Sequence, residues 1–477
     1  MKFYTLTIIA SLFFISCKDN STTTKTYTYF GGEIINPKNN HITLSNPETG
    51  TDTITLDAHN RFYKKIPNLK SGIYSFTHGG EHQLVLLESQ DSLLLRLNTI
   101  DFDESLVFTG IGSKKNNYLI KTFLDNETEN NNIKTLCQLE PEALEVYLDS
   151  SKTAKTKNLH RFLDRMPSSD LFKSIAQVNI DYNNYYYKEA YPFFYFGNNK
   201  LVHYKDLPED FYNYRTQINY NLDYLNEYGI YNRFLFAHFN NLALKDYYEH
   251  TKHQHKAFDR QSLKYNLAKL KLIDSLVTDS TIKNYLLKHT TKDFIYNSRN
   301  SEQTDRIYKS YLKKSKNKQD IAEIDDLLEK LNNLKPGKQI PNVTLTNYKD
   351  DKTYVRDLIT KPTIVFFWSS NYELINRNSH HRAKKLKAKY PNIDFISINI
   401  NDNDKTYWKR KLKRSKFATE NEFQFQNMSE SIDVLAINSV YTVILVDKNH
   451  KIISSNSSMF SPEFERQIQF LTRNSKL

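Results

Sequence analysis

The sequence predicts a multidomain α+β protein: an N-terminal antiparallel β-sandwich, a helical middle region and a C-terminal α/β domain. Three observations predict this class. Short runs that alternate apolar and polar residues fill 27–112, a helical period follows over 113–334, and strand and helix patterns alternate over 335–477. A chain of 477 residues is long enough for about three domains of ordinary size.

The composition is that of a folded protein and excludes some common enzyme classes. Hydrophobic residues make up 39% of the chain and charged residues 25%, which argues against wholesale disorder. Neither a P-loop nor a G-x-G-x-x-G fingerprint occurs, which excludes nucleotide enzymes of those classes. The net charge of +12 favours anionic surroundings but names no partner. We expect no cofactor.

The first residues have the pattern of an export signal. Lys2 precedes an apolar stretch over 3–15 that is too short to span a membrane. The run Phe14-Ile15-Ser16-Cys17 resembles the lipobox of bacterial lipoproteins, although that family more often has a small or hydroxyl residue in place of Ile15. The resemblance implies a signal peptide over 1–16, an acylated Cys17 that anchors the chain to the membrane, and a tether over 17–26. The alternative is a plain secretory signal.

The residues behind Cys17 bear on location and on redox chemistry. Lys18-Asp19-Asn20 resembles a surface-export tag of Gram-negative lipoproteins, so we expect an outer-membrane anchor that faces either the periplasm or the cell surface. The only other cysteine is Cys137, so no disulfide can form within a chain acylated at Cys17. Nucleic acid is not an expected partner of an exported protein.

The segment 27–112 reads as a β domain. Turn clusters separate short strands at near-regular spacing, which predicts a small sandwich with one buried and one solvated face on each sheet. The predicted strands are 27–35, 42–44, 51–56, 62–66, 72–76, 83–87 and 92–97.

From 113 to 334 the periodicity predicts helices, and a concentration of aromatic residues is the main feature. It ends at Gly197 and contains Pro192. The aromatic residues are Tyr182, Tyr185, Tyr186, Tyr187, Tyr191, Phe193, Phe194, Tyr195 and Phe196. One interpretation is an exposed platform of coplanar rings that captures carbohydrate or peptide. The other, which we favour, is packing between helices with a turn at Pro192.

Two further features of the helical region are candidate sites. His250 and His253 share a helical face near Glu249, but His255 points elsewhere and no thiolate is near, so we favour a solvated surface over a metal site. A role for Cys137 in thiol chemistry requires an exposed thiol with a lowered pKa. We expect a buried, inert thiol instead.

After Pro336-Gly337 the pattern becomes strand and helix in alternation. The predicted strands are 343–345, 353–355, 363–368, 394–400, 442–446 and 451–453, and the predicted helices are 373–390, 408–416 and 462–471. The strand 363–368 is apolar throughout, as in a strand buried on both faces.

This order resembles the thioredoxin fold, and specifically the membrane-anchored disulfide reductases of the TlpA/ResA type. The resemblance rests on the entry from Pro336-Gly337 to Pro341, on the block from Pro362 to Ser370 with Phe366-Phe367-Trp368, and on the hairpin at Asp447-Lys448-Asn449-His450. The β domain in front resembles the one found ahead of such domains in secreted lipoproteins. The resemblance implies a thioredoxin-like α/β/α domain over 335–477 and an ancestral role in thiol-disulfide exchange.

Departures from the family pattern decide the functional prediction. Tyr372 and Ile375 stand where the family has its two redox cysteines, and neither side chain can attack or resolve a disulfide. Tyr441 stands at the position of the family's cis-proline, where we expect a trans peptide bond. Tyr372, Glu373, His380 and Tyr441 could converge as an acid-base site, but we favour bulky residues that fill the vacated groove.

The predicted function follows from these departures. We expect an envelope-anchored lipoprotein whose degenerate, redox-inactive thioredoxin-like domain acts in binding or scaffolding, and we do not expect an enzyme. The alternatives are a thiol-disulfide oxidoreductase-related envelope protein and a surface carbohydrate-capture lipoprotein. Basic runs over 381–389 and 409–416 could contact an anionic envelope component, or they are solvated helix faces with leucine and alanine turned inward. A protein partner is the other candidate.

Overall fold

A computed structural model describes residues 26–195, 207–225, 228–249, 258–298, 300–370, 372–400 and 405–474. The chain divides into two compact units, Met1–Asn241 and Leu242–Leu477. The helical middle region therefore contributes to both units, and the predicted boundaries at 112/113 and 334/335 stay predictions.

In the described part of the N-terminal unit, eight strands form two four-stranded sheets. The strands are β1 Tyr27–Ile35, β2 His41–Asn46, β3 Gly50–Thr55, β4 Arg61–Pro67, β5 Gly72–His78, β6 Glu81–Leu87, β7 Ser92–Asn98 and β8 Val107–Ile111. The sheet orders are β4-β1-β7-β8 and β3-β2-β5-β6. The prediction of a purely antiparallel sandwich is wrong at one pair, since β1 and β7 run parallel. A parallel pair is possible because no hairpin joins β1 to β7. The chain forms β5 and β6 in the other sheet before β7 pairs with β1.

The two sheets enclose a shared apolar core. Phe30, Phe76 and Leu97 are fully buried in it, and Ile120 from the following helix packs against it. β8 is an eighth strand that the alternation did not predict, because its outward residues include Val107 and Ile111, which are exposed. Gly110 allows β8 to approach β7, since a Cβ there would lie 2.1 Å from a main-chain oxygen of β7.

The helices that follow are α1 Ser113–Asn131, α2 Ile133–Leu136, α3 Pro141–Leu163, α4 Asp170–Phe194 and α5 Gly229–Glu249. Ser169 caps α4 by accepting a hydrogen bond from the Phe172 amide. The predicted turn at Pro192 is wrong, because α4 continues to Phe194. A proline in the last turn removes only one helical hydrogen bond, so the helix can continue past the buried Pro192.

In the C-terminal unit, helices precede a seven-stranded sheet. The helices are α6 Leu263–Leu276, α7 Ser280–Asn297, α8 Ser301–Leu312 and α9 Lys318–Asn333. The strands are β9 Thr344–Asn347, β10 Lys352–Tyr354, β11 Thr363–Trp368, β12 Asp394–Asn399, β13 Glu422–Phe425, β14 Val443–Val446 and β15 Ile452–Ser457. The remaining helices are α10 Glu373–Lys389, α11 Lys405–Ser415, α12 Met428–Val434 and α13 Phe464–Asn474.

The sheet order is β10-β9-β13-β12-β11-β14-β15, with every residue of β11 buried at its centre. β11, β12 and β13 are parallel and are joined by α10 and α11, whereas β14 and β15 are antiparallel to their neighbours. Neither β13 nor α12 was predicted, and for β13 the reason is that a strand of four residues is too short to establish an alternating pattern. Among the described residues, no helix is long and apolar enough to cross a membrane.

Candidate functional site

The candidate site lies at the edge of the C-terminal sheet where β11 ends and α10 begins. Ser369 and Ser370 follow the strand and are buried. Asn376, from the first turns of α10, donates from its side-chain amide to the Ser369 carbonyl and accepts from the Ser369 amide at 3.3 Å. This two-way contact with the main chain fixes the start of α10 against the end of β11.

The two positions that carry the redox cysteines in the resembling family lie at the start of α10. The carbonyl of Tyr372 accepts from the Asn376 amide at 2.9 Å, so Tyr372 already belongs to the first helical turn. The Tyr372 side chain is 53% exposed and that of Ile375 is half-buried. The geometry therefore pairs an exposed and a half-buried position at a helix N-terminus, without a thiol at either.

Tyr441 lies at the same edge of the sheet. β11 and β14 pair antiparallel with Phe366 opposite Val443, so the residues after β11 and before β14 meet there. The peptide bond before Tyr441 is trans. Its ring is 48% exposed and meets Phe460 edge-on, with 6.3 Å between the ring centroids.

Behind this edge lies a buried polar cluster around His380 and Glu422. The imidazole Nε2 lies 3.0 Å from Glu422 Oε1, and Nδ1 donates to the Asn376 carbonyl at 2.7 Å. The Trp368 indole N–H donates to Glu422 Oε2 at 3.2 Å. Phe417 stacks on the imidazole, with 3.8 Å between ring centroids. Burial raises the pKa of Glu422 despite these partners.

The arrangement of this cluster does not form a catalytic relay. Ser397 Oγ lies 3.3 Å from Nε2 of His380, the same nitrogen that faces Glu422. A relay needs the nucleophile and the carboxylate on opposite nitrogens of the imidazole. Ser397 is also only 2% exposed, so it cannot reach a substrate. We read the cluster as a structural support for the end of β11.

The four residues considered for acid-base chemistry do not converge. In the described structure no hydrogen bond, ion pair or ring contact joins any two of Tyr372, Glu373, His380 and Tyr441. Glu373 is exposed and pairs with Lys411 at 3.2 Å, and this hydrogen bond lowers its pKa. The alternative, in which bulky residues fill the vacated groove, also needs correction. The side chains of Tyr372 and Tyr441 are about half exposed, so they are not buried in a groove.

The thiol of Cys137 is inaccessible. Cys137 is fully buried among apolar side chains that include Leu144, Tyr187 and Tyr191. Burial raises the pKa of its thiol to about 12, so almost no thiolate forms near neutral pH. Cys17 lies outside the described residues.

The aromatic run of α4 packs inside the N-terminal unit. Tyr185 is 8% exposed, and Tyr187 and Tyr191 are buried more fully. Tyr182 meets Phe234 edge-on with 4.9 Å between ring centroids. This burial contradicts the exposed, coplanar platform that carbohydrate capture requires, although Phe196 and Gly197 lie outside the described residues. Aromatic packing explains the run, because its rings cover helix faces rather than water.

A second buried polar cluster, the Glu189 network, was missed by the sequence analysis. Glu189 of α4 is 0% exposed and accepts from Arg215 Nε at 2.9 Å and from Asn241 at 2.7 Å. Tyr214 donates to it at 2.7 Å, and His238 Nδ1 lies at 2.6 Å. A lone glutamate within an aromatic run was the only sequence signal for it.

Burial alone would raise the pKa of Glu189, but the network reverses that effect. The charges of His238 and Arg215, and their hydrogen bonds, lower the pKa to about 2. Glu189 is therefore ionised at neutral pH inside the unit. The network ties α4 to α5 and to the segment that carries Arg215.

The other predicted sites have these outcomes. His250, His253 and His255 lie outside the described residues, and within them no cluster of three metal-ligating side chains occurs. On the basic helix α10, Ala383 and Leu386 are buried, and Arg382 and Lys389 pair with Glu465. Contact with an anionic envelope component stays a prediction.

The C-terminal sheet belongs to the thioredoxin-like class of fold by its own topology. β11, α10 and β12 form the parallel βαβ unit, and β14, β15 and α13 form the antiparallel ββα unit beside it. Similar solved structures cover between 25% and 30% of this chain.

Several similar solved structures come from Bacteroides. The thioredoxin domain of a thiol-disulfide oxidoreductase from Bacteroides vulgatus is 18% identical, with 29% of this chain and 97% of that chain covered and a TM-score of 0.26. A thiol-disulfide oxidoreductase from Bacteroides fragilis is 20% identical over 27% and 98%, with a TM-score of 0.24. A thiol:disulfide interchange protein from a Bacteroides species is 20% identical over 25% and 80%, with a TM-score of 0.23. No protein-family model and no curated protein matches the chain.

Proposed function

We propose that this protein is an envelope-anchored lipoprotein whose thioredoxin-like domain has no thiol chemistry and serves as a binding or scaffolding module. The single observation that carries the proposal is the edge of the C-terminal sheet. Tyr372 and Ile375 occupy the two positions where a dithiol would act, and the rest of the chain supplies no reactive thiol there.

Disulfide exchange is not expected, because none of the described residues supplies a thiolate. Disulfide exchange needs one thiolate to attack and a second thiol to resolve the mixed disulfide. The sequence has two cysteines, of which Cys137 is buried with a raised pKa and Cys17 is the proposed acylation site. Covalent catalysis without a dithiol would need another nucleophile. Ser397 cannot serve, because it is buried.

The same edge favours binding because it exposes large apolar side chains. Tyr372 and Leu374 follow β11 and are 53% and 61% exposed, and Tyr441 and Phe460 are each 48% exposed. The pairing of β14 with both β11 and β15 brings the segments that carry these residues to one sheet edge. Grouped exposed apolar residues are typical of a surface that contacts a partner.

One experiment tests the anchor and the missing chemistry together. Expressed with its leader in a Gram-negative host, the wild-type chain should appear in the membrane fraction, and a Cys17→Ser variant should appear in the soluble fraction. Neither protein should accelerate the reduction of insulin by dithiothreitol above the rate without protein, and Cys137→Ser should change nothing. Activity of the wild-type chain, abolished by Cys137→Ser, would contradict the proposal.

A second experiment tests the binding role. A photo-crosslinking phenylalanine analogue at Tyr372 should give a discrete higher-mass adduct in intact cells of the native host. The same analogue at Glu420, an exposed position away from the edge, serves as the matched control. Leu374→Asp should weaken the adduct at Tyr372, because a charge in the patch disfavours apolar contact. Equal adducts at both positions would count against a binding edge.

A further inference from the structure

One sheet face of the N-terminal unit is exposed and rich in apolar side chains. In the sheet β4-β1-β7-β8, alternate residues of each strand point away from the shared core, and we call that side the outer face. With residues about 3.3 Å apart along a strand and strands about 4.8 Å apart, it measures about 20 Å by 14 Å. Its exposed large apolar side chains are between 37% and 66% exposed, and they are Tyr27, Tyr63, Leu94, Val107 and Ile111.

Strand register joins these side chains into one patch. Gly31 of β1 lies opposite Tyr63 on one side and Leu94 on the other. A Cβ at Gly31 would lie 3.1 Å from a ring carbon of Tyr63 and 3.1 Å from a methyl group of Leu94, so glycine lets both side chains close over β1. Tyr29 stacks on Tyr63 with 5.6 Å between ring centroids, and Ile111 lies in the same cross-strand row as Tyr29. The patch is therefore continuous from β4 to β8.

Basic side chains accompany this patch. Lys65 Nζ lies 3.7 Å from the centroid of the Tyr27 ring, and Arg96 is exposed on β7. Neither forms an ion pair with a described residue, whereas Arg61 pairs with Glu33. Glu33 is the only acid among the outward residues of these four strands. Three basic residues against one acid give the outer face an excess of two positive charges.

Acids around the sheet do not cancel this charge at the end where β1 begins. At that end, Glu88 and Asp91 are mostly buried and both pair with Lys115 of α1. Three exposed acids lie in loops at the opposite end of the sheet, and they are Asp57, Asp101 and Glu104. Positive charge and tyrosine rings therefore coincide at the start of β1.

The start of β1 is also close in sequence to the proposed acylation site. Nine peptide links join Cys17 to Thr26, and a chain of that length spans at most about 32 Å in any conformation. A lipid anchor at Cys17 would hold Tyr27 within about that distance of the bilayer, so the effective concentration of membrane at the outer face would be high. Tyrosine rings are favoured at membrane interfaces, and Lys and Arg are attracted to anionic lipid.

We infer that the outer face docks on the anionic phospholipid surface that the anchor enters. Leu94 and Ile111 contact the boundary between headgroups and acyl chains, the tyrosine rings lie at headgroup level, and Lys65 and Arg96 pair with lipid phosphates. The inference rests on the proposed function, because the anchor at Cys17 is what keeps the face near the membrane. Its affinity for lipid is a property of the face alone and is measured without the anchor.

Co-sedimentation of the chain 18–477 with vesicles tests the inference, since that chain keeps every described residue. In low salt, about 50 mM, it should bind vesicles of phosphatidylethanolamine and phosphatidylglycerol. Vesicles of phosphatidylcholine should bind at least about 10-fold more weakly, because they carry no net charge. Leu94→Ser combined with Ile111→Ser should weaken binding to the anionic vesicles at least about 5-fold.

A matched pair of charge variants separates the outer face from the overall charge of the chain. Lys65→Gln combined with Arg96→Gln should weaken binding to the anionic vesicles by about 10-fold or more. The control is Lys121→Gln combined with Lys173→Gln, which removes two exposed cations of α1 and α4 and changes the net charge by the same amount. It should keep the wild-type affinity within about 2-fold, because those cations lie off the face.

Three results would overturn the inference: no binding to the anionic vesicles, equal losses in the charge variant and its control, or wild-type binding by the folded serine variant. A dimer in analytical ultracentrifugation that the serine variant dissociates would also overturn it, since the face would then bind a second copy of the chain. If the serine variant does not fold, the charge variant and its control decide. Vesicle binding by 18–477 with a wild-type chain in the soluble fraction would contradict the anchor alone.

Discussion

Glu189→Gln is expected to lower the free energy of unfolding by about 3–5 kcal/mol, because it leaves the mostly buried guanidinium of Arg215 without its counter-charge. Glutamine keeps the size of the side chain but offers one acceptor oxygen where Glu189 uses two. Its amide nitrogen would face groups that are themselves donors. The effect should appear as a lower midpoint in urea unfolding followed by circular dichroism.

The loss caused by Glu189→Gln should depend on pH in a defined direction. The pKa of Glu189 is about 2 in the folded protein and 4.5 in the reference state. Its stabilising contribution is therefore complete above pH 4.5 and is lost as the pH falls towards 2, with a total of about 3 kcal/mol. The difference between wild type and variant should shrink over that window.

Asp170→Asn is the matched control for Glu189→Gln. Asp170 belongs to the same helix and pairs with Lys173 at 2.9 Å, but its side chain is 97% exposed. Exposed ion pairs contribute little to stability, so this variant should unfold at the wild-type midpoint. Equal losses in both variants, or a loss in Glu189→Gln that does not change between pH 7 and pH 2.5, would show that burial of the charge is not the cause.

Tyr372→Cys combined with Ile375→Cys is expected to create insulin reductase activity where the wild-type chain has none. The change places an exposed thiol at the start of α10 and a half-buried one a turn later. Helix N-terminal amides lower the pKa of a thiol, and the second cysteine can resolve the mixed disulfide. The rate of insulin reduction with dithiothreitol should rise at least about 10-fold above the wild-type rate.

The control for the restored dithiol is Tyr372→Cys combined with Ile375→Ser. It keeps the attacking thiol and removes the resolving one, so it should form mixed disulfides with little turnover. A double-cysteine variant that forms its intramolecular disulfide but stays as inactive as this control would mean that the site no longer admits a disulfide substrate. The trans peptide bond before Tyr441 would then be the first feature to examine.

The fold could be predicted where local pattern and packing agree. β11 begins and ends at the predicted residues because a continuous apolar run has few alternatives to a central buried strand. β13 was missed because Glu422 and Gln424 alternate with Phe423 and Phe425 over only four residues. Both of its faces are buried, so its polar side chains needed partners that lie far away in the chain.

The candidate site divides in the same way. The absence of thiols at Tyr372 and Ile375 could be read from the sequence, since a residue type either has the chemistry or lacks it. The sequence could not show whether the four residues considered for acid-base chemistry meet, because a different contact places each one. Tyr372 contacts the end of β11 and Glu373 pairs with Lys411. His380 faces Glu422, and Tyr441 meets Phe460.

By itself the sequence determined that positions 372 and 375 carry no thiol, the order of the β, helical and α/β parts, and most strands of the two units. Those properties depend on residue type and on local periodicity. Only the tertiary structure decided that Cys137 and the tyrosines Tyr182, Tyr185, Tyr187 and Tyr191 of α4 are buried, and that Glu189 is ionised within the N-terminal unit. Burial and charge pairing depend on residues distant in sequence, and no local pattern records them.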